Sequence, residues 1–469
     1  MFFDELEKFS GKYAIIDDRG DKVSYSDLVD LSDRICEKAV SRQVVFILCQ
    51  NETEVLCGYL GFLRKRIIPV MVDSNIEEKL LDSLLEKYMP SYIFCPREKK
   101  NNFKTEICLW EGKKFCLLRS GKEELPVKRT DLALLLTTSG STGSPKLVRQ
   151  SYRNIQSNAE AIVSYLHLDK EERPIVTLPM NYTYGLSILH SHLLVGATIL
   201  LTEYPVNNRY FWDFFQKEGA TSFGGVPYTY EMLKRIHFFK MNLPTLKTMT
   251  QAGGRLSPDL QREFADYAWK RKIQFVPMYG QTEATARMAY LPADRCREKI
   301  GSIGVAIPSG HMEIVDGNDN LILEPYQPGE LVYRGENVTL GYAENRKDLD
   351  KGDEFQGVLH TGDIAQMDEE GFFYIVGRAK RFLKLFGSRI NLDEVDLLIR
   401  QKFQNLECAT TGTDDKMISY VTDVNNVDAV REFVLEITHV NPAAVEVRCI
   451  EQIPKNNAGK ILYKELEDK

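Results

Sequence analysis

The chain has 469 residues, a formal net charge of −7, 43% hydrophobic and 27% charged residues. That length exceeds one ordinary core and predicts more than one domain, and an acidic balance excludes nucleic acid as the main partner. No stretch approaches the about 20 apolar residues of a membrane span, so no membrane insertion is expected. The N-terminus Met1-Phe-Phe-Asp-Glu-Leu-Glu is acidic where a signal peptide would be basic. Nine cysteines stand singly, with no Cys-x-x-Cys pair, which reads as reduced thiols in a cytoplasmic protein.

In chain order, residues 1–130 alternate strand and helix patterns. Val44-Val-Phe-Ile-Leu48 and Ile67-Ile-Pro-Val-Met-Val72 read as buried strands with a helix near residues 52–63 between them, a pattern of parallel sheets covered by helices. The apolar run Leu132 to Leu136 reads as another buried strand. It delivers Thr137-Thr-Ser-Gly-Ser-Thr-Gly-Ser-Pro-Lys146, a loop of hydroxyls and glycines ending on a cation. Thr138, Ser139, Ser141 and Thr142 offer hydroxyl donors, Gly140 and Gly143 leave backbone N–H groups uncovered, and Lys146 adds charge. By composition this is a phosphate cradle. It is not a Walker loop, since no Ser or Thr follows the lysine. Ile155, Ala159, Ile162, Val163 and Leu166 keep helical spacing, so the loop is expected to lead into an amphipathic helix. His190 and His192 lie two apart in a helical stretch, a spacing that turns the rings away from each other and disfavours a metal site.

From residue 301 to 374 the texture changes to short strands and turns such as Asp316-Gly317 and Pro328-Gly329, a β-rich part. The remainder reads as a small α+β unit.

The phosphate loop resembles that of the adenylate-forming superfamily: acyl-CoA synthetases, peptide-synthetase adenylation domains and luciferases. Further segments follow in that family's order: Met278-Tyr-Gly-Gln-Thr-Glu283, Gly329-Glu-Leu-Val-Tyr-Arg-Gly335, His360-Thr-Gly-Asp363, Gly377-Arg378 and Pro454-Lys-Asn-Asn-Ala-Gly-Lys460. The resemblance implies an α/β protein. Residues 1–379 would form a large N-terminal ATP- and acid-binding domain of stacked αβ subdomains, with its β-rich part at about 301–379. Residues 380–469 would form a small, mobile α+β C-terminal lid, with Lys380 at the hinge.

It also implies the chemistry. A carboxylate attacks the α-phosphorus of ATP, which crowds negative charge into one pocket; metal, lysine and backbone amides relieve it. Glu283 is the candidate Mg2+ ligand, since magnesium takes one or two carboxylates and fills the rest with water and phosphate oxygen. By resemblance Tyr279 and Gly280 belong to the adenine site, Thr282 binds the α-phosphate, and Gly253 and Gly254 line the adenine and acyl pockets. Asp363 offers two acceptors to the ribose diol and Arg378 reaches the same sugar. Lys460 would be swung onto the carboxylate and α-phosphate, making Lys460, Thr282 and Glu283 the catalytic set. Gly387 would let a phosphopantetheine arm approach, or else serves as an ordinary turn glycine.

The segment Leu178-Pro-Met-Asn-Tyr-Thr-Tyr-Gly185 leads into a wall of the acid pocket. Amino-acid-activating relatives carry an aspartate there; this chain carries Thr183. A buried ammonium without a counter-charge is costly, so the expected substrate is a small carboxylic acid lacking a free α-amino group, or one whose amine is handled elsewhere. Tyr182 stands at an aromatic gate and Tyr184 faces the acyl group, or both are packing aromatics. Gly225, with Phe223, Gly224, Val226 and Pro227, completes the pocket, its glycines either admitting bulk or drawing elements together. The cofactors implied are ATP and Mg2+, with a phosphopantetheine thiol, on coenzyme A or an acyl carrier protein, as acceptor. The short C-terminal segment leans faintly towards the carrier. The alternatives are an amino-acid carrier-protein ligase of the D-alanine type, for which the missing aspartate is a mark against, and a catalytically idle ATP- or AMP-binding regulator.

Overall fold

Two large sheets organise the first of two compact units in the computed structural model. The structure describes all residues except 104–106, 122–124, 138–145, 379–380, 386–387, 404–405, 414–415, 439, 456–460 and 468–469. An eight-stranded sheet runs in the order Tyr342–Ala343, Leu147–Ser151, Leu132–Thr137, Ile68–Asp73, Val44–Cys49, Tyr92–Pro96, Phe115–Arg119, Cys108–Glu111. Its centre is parallel and its margins antiparallel. All six residues of Val44–Cys49 are buried, as a strand covered on both faces must be. Helix Thr53–Arg64 crosses from that strand to Ile68–Asp73.

A nine-stranded sheet holds, in its parallel centre, Gln274–Tyr279, Thr248–Gln251, Ser222–Gly225, Pro174–Val176, Ile199–Leu201 and Tyr13–Asp17. Helices Tyr152–Leu166 and Thr183–Leu194 pack on each other between strands of this unit.

Contrary to expectation, the phosphate loop does not lead into a helix. Leu147–Ser151 follows as a strand, antiparallel to Leu132–Thr137, and only then comes helix Tyr152–Leu166. The charged and polar pair Arg149 and Gln150 hides the strand from a polarity reading. Arg149 is in fact fully buried, because it donates to the carbonyls of Tyr342, Lys351, Leu340 and Gly352 and pairs with Glu354 at 2.6 Å. Ser151 then starts the helix with a reciprocal cap to Asn154.

The second unit takes Met312–Tyr333 and His360–Lys469, and Arg334–Leu359 belongs to the first. Strands His311–Val315, Gly329–Arg334, Val358–Met367 and Phe373–Arg378 form a four-stranded sheet. The short strands between 301 and 379 therefore do not share one sheet. Val305–Ala306 joins the nine-stranded sheet and Tyr342–Ala343 the eight-stranded one. Towards the C-terminus, Cys408–Thr413, Lys416–Val421 and Val445–Cys449 make a three-stranded sheet. Helices Leu392–Lys402 and Val427–Thr438 cover it through Val395, Ile399, Val430 and Val434. Among the described residues no helix is long and apolar enough to cross a membrane.

Candidate active site

Strand Gln274–Tyr279 ends at Gly280, where a Cβ would stand 1.6 Å from the carbonyl oxygen of Ala286. Only glycine fits so close an approach. The chain then makes one 3-10 turn, Thr282–Ala284, and Thr285 and Ala286 take positive φ of 53° and 99° to reverse direction. That turn presents Glu283. Its Oε1 accepts from the Tyr342 hydroxyl at 2.8 Å, and its carbonyl accepts from Thr339 N–H at 2.9 Å. Burial, and then the neighbouring carboxylate, push the Tyr342 phenol well above its ordinary range, so it stays a donor.

Tyr342 also reaches the far end of the phosphate loop. Lys146 Nζ lies 5.7 Å from the Tyr342 ring centroid and 3.0 Å from Glu344. The Lys146–Glu344 pair is partly exposed, and such pairs are weak enough to yield to a phosphate. Lys146, Glu283 and Tyr342 thus converge within the first unit. None of the quoted motifs contains Tyr342; its place follows from strand Tyr342–Ala343 pairing with Leu147 and Val148.

Magnesium fits this donor set. Glu283 offers a hard oxygen, with Oε1 oriented by Tyr342 and Oε2 making no hydrogen bond among the described residues. No group of three or more His, Cys, Asp or Glu that could hold a metal occurs among them. Tyr279 lies at the end of its strand, its hydroxyl accepting from Gln281 Nε2 at 3.3 Å, and Thr282 accepts at its carbonyl from Gln150.

The expected acyl pocket collects around helix Thr183–Leu194. Tyr182 precedes its first turn, Thr183 and Tyr184 are buried, and the two tyrosine rings meet edge-on at 6.3 Å. Tyr184 shares a hydrogen bond of 2.8 Å with Thr250 Oγ1. The pocket glycines serve close packing. A Cβ on Gly224 would meet Tyr184 Oη and Ile188 Cδ1 at 2.8 Å, and one on Gly225 would meet Thr229 at 2.8 Å. Gly253, at φ +83°, lies under the Tyr182 hydroxyl, and Gly254 lies beside Pro227. The two histidines of this helix go separate ways: His190 Nε2 shares a hydrogen bond with the Tyr59 hydroxyl, and His192 Nδ1 donates to the Ile188 carbonyl, each at 2.8 Å. Burial pushes their pKa values down to about 3 and about 4. Sequence reading missed Arg287, buried against Tyr184 with its guanidinium 5.3 Å from the ring centroid.

In the second unit Asp363 and Arg378 are register partners on adjacent antiparallel strands. Arg378 Nε donates to Asp363 Oδ1 at 3.1 Å; the aspartate is buried and the arginine half-exposed. Thr138, Ser139, Gly140, Ser141, Thr142, Gly143, Lys380, Gly387 and Lys460 lie outside the described residues.

Over 95% of its length this chain is 27% identical to 93% of a 2-succinylbenzoate–CoA ligase of Bacillus cereus. A 4-coumarate–CoA ligase 2 of Solanum tuberosum is 25% identical, with 99% of this chain and 92% of that protein aligned. The fold superposes with a TM-score of 0.82 on o-succinylbenzoate CoA synthetase from Bacillus subtilis bound to its acyl-adenylate, at 20% identity and covering 100% of this chain and 98% of that one. Residues 2–343 match the AMP-binding enzyme family, and a match over most of the chain on this fold places the protein in it: it is an AMP-binding enzyme of the adenylate-forming superfamily.

Proposed function

We propose that the protein is an ATP-dependent carboxylate ligase. It forms an acyl-adenylate with release of pyrophosphate and then passes the acyl group to a phosphopantetheine thiol. The observation that carries this reading is the convergence of Glu283 and Lys146 on Tyr342, in the same compact unit as the expected acyl-pocket residues Tyr182, Thr183 and Tyr184. Magnesium held at Glu283 supplies positive charge against the phosphates. Lys146 supplies more from the loop side, and Thr282 meets the α-phosphate. Asp363 takes the ribose hydroxyls with Arg378. Lys460 comes to the reacting carboxylate when residues 380–469 turn about Lys380, and Gly387 lets the thiol arm approach afterwards.

Coenzyme A is the acceptor we favour over a carrier protein, because the relatives aligned over nearly the whole chain are named as CoA ligases. The acid lacks a free α-ammonium group: Thr183 offers it no counter-charge, and the cation at Arg287 adjoins Tyr184. The test is carboxylate-dependent ATP–pyrophosphate exchange over a panel of short, long, hydroxy, aryl and amino acids. We expect exchange with one class of acid, slowed on the order of 10²–10³-fold by Lys460→Ala, as for loss of one preorganised donor. ATP binding with no exchange on any acid would favour the idle regulator instead.

A further inference from the structure

Against Tyr184, a residue of the expected acyl pocket, lies a buried charge with no anionic partner among the described residues. Arg287 is only 2% exposed. Its Nε donates to Ser187 Oγ at 3.0 Å, and its Nη1 to the Tyr165 hydroxyl at 3.0 Å and Met278 Sδ at 3.3 Å. Tyr184 offers its ring face. None of these carries negative charge: burial pushes the phenols of Tyr165 and Tyr184 up, away from ionisation. His192, a further titratable group that feels the guanidinium, is kept neutral because burial lowers its pKa to about 4. Among the described residues no carboxylate pairs with Arg287, and Nη2 has no acceptor.

Two other arginines are completed by carbonyls and carboxylates, whereas the buried Arg346 has among the described residues only the Leu125 carbonyl, on Nη2. Arg149 meets four carbonyls and Glu354. Arg381 pairs with Asp393 at 2.8 Å and Asp396 at 3.0 Å. A guanidinium stays protonated throughout the working pH range, and leaving one buried without an anion is strongly unfavourable. Nor is the residue free to withdraw. The side chains of Asn158 and Asn337 donate to its main-chain carbonyl at 2.8 and 3.1 Å, while Ser187 and Tyr165 hold the guanidinium itself. A preorganised cation of this kind is a built half of an ion pair.

We infer that Arg287 reads a second anionic group on the substrate: the acid is a dicarboxylate whose distal carboxylate pairs with this guanidinium, while its other carboxylate is adenylated. The Tyr184 hydroxyl, oriented by Thr250, is the neighbouring polar contact. This inference rests on the ligase reading above and selects the substrate class within it.

The test compares ATP–pyrophosphate exchange on dicarboxylic acids with monocarboxylic acids of matching length, adding an aryl pair with and without a second carboxylate. Wild type, Arg287→Lys and Arg287→Met are assayed as kcat/KM, with ATP affinity and thermal melting as folding controls. The wild-type enzyme should prefer the diacid by roughly 10²-fold, the scale of losing one partner of a buried charge pair. Arg287→Met should erase that preference through KM for the diacid, keeping exchange with the monoacid; Arg287→Lys should keep part of it. A wild-type preference for monoacids, or a slowing of all acids alike in folded Arg287→Met, overturns the inference. Should Arg287→Met not fold, the wild-type preference and its partial retention in Arg287→Lys decide. Exchange without diacid preference defeats this inference alone, whereas ATP binding without any exchange defeats the ligase reading beneath it.

Discussion

Glu283 and Arg287 stand on one short reversal of the chain, yet their charges are handled in opposite ways. Glu283 is partly exposed, oriented by one phenol, with Lys146 nearby on the other side of that ring. Arg287 is buried among hydroxyls, a thioether and a ring face, with no anion beside it among the described residues. The first charge is screened by water until a ligand arrives. The second has already lost its water and depends on a ligand to complete it. On the proposed reading, charge at the nucleotide end would serve catalysis by being exchangeable, and charge at the acyl end would serve selection by being costly to leave unmatched.

The largest effect that would sharpen the contrast is at Glu283. Glu283→Gln should cut exchange about 10²-fold or more, since it removes the proposed anionic metal ligand, and added Mg2+ should restore part of the rate. A small, Mg2+-independent loss would break the assignment of Glu283 as ligand. Next comes Tyr342→Phe, which keeps the ring and removes the hydroxyl that orients Glu283. A hydrogen bond to a charged group supports a loss of about tenfold, read as a rise in the Mg2+ concentration giving half-maximal exchange. An unchanged Mg2+ profile would show that Tyr342 is packing alone.

The smallest effect lies beside Arg287. His192 is held neutral in the fold, with a pKa lowered to about 4, whereas the unfolded chain takes up that proton near pH 6.5. The unfolded state therefore binds more protons as pH falls below 6.5, and stability is lost progressively down towards pH 4. Between pH 7 and 5 this one group should cost about 2 kcal/mol. His192→Gln should flatten that decline by a similar amount in urea melts at the two pH values. Parallel declines would show that His192 is already charged in the folded protein.

Much of this was legible along the chain because its cause is local. The run Val44–Cys49 is apolar at every position, so it can only be a strand covered on both faces. The glycine at 280 marks a place where backbone meets backbone, and the turn bearing Glu283 follows at once. Asp363 and Arg378, picked out by their motifs, prove to be register partners. What stayed hidden has distant causes. Leu147–Ser151 escaped because Arg149 looks like surface until the carbonyls of residues 340–352 arrive to satisfy it. Tyr342 belongs to no quoted motif and matters only because a two-residue strand pairs beside the phosphate loop.

The sequence by itself determined the family, the α/β alternation and the charged groups proposed to face ATP, since each is written in contiguous residues whose spacing carries the chemistry. Tertiary structure alone decided which sheet each short strand after residue 301 joins. It alone brought Ser187, Tyr165 and Tyr184 around Arg287. The reason is physical: an arginine's letter states its charge, but the cost of that charge depends on the water it loses and the partners it gains, and those come from residues far away along the chain.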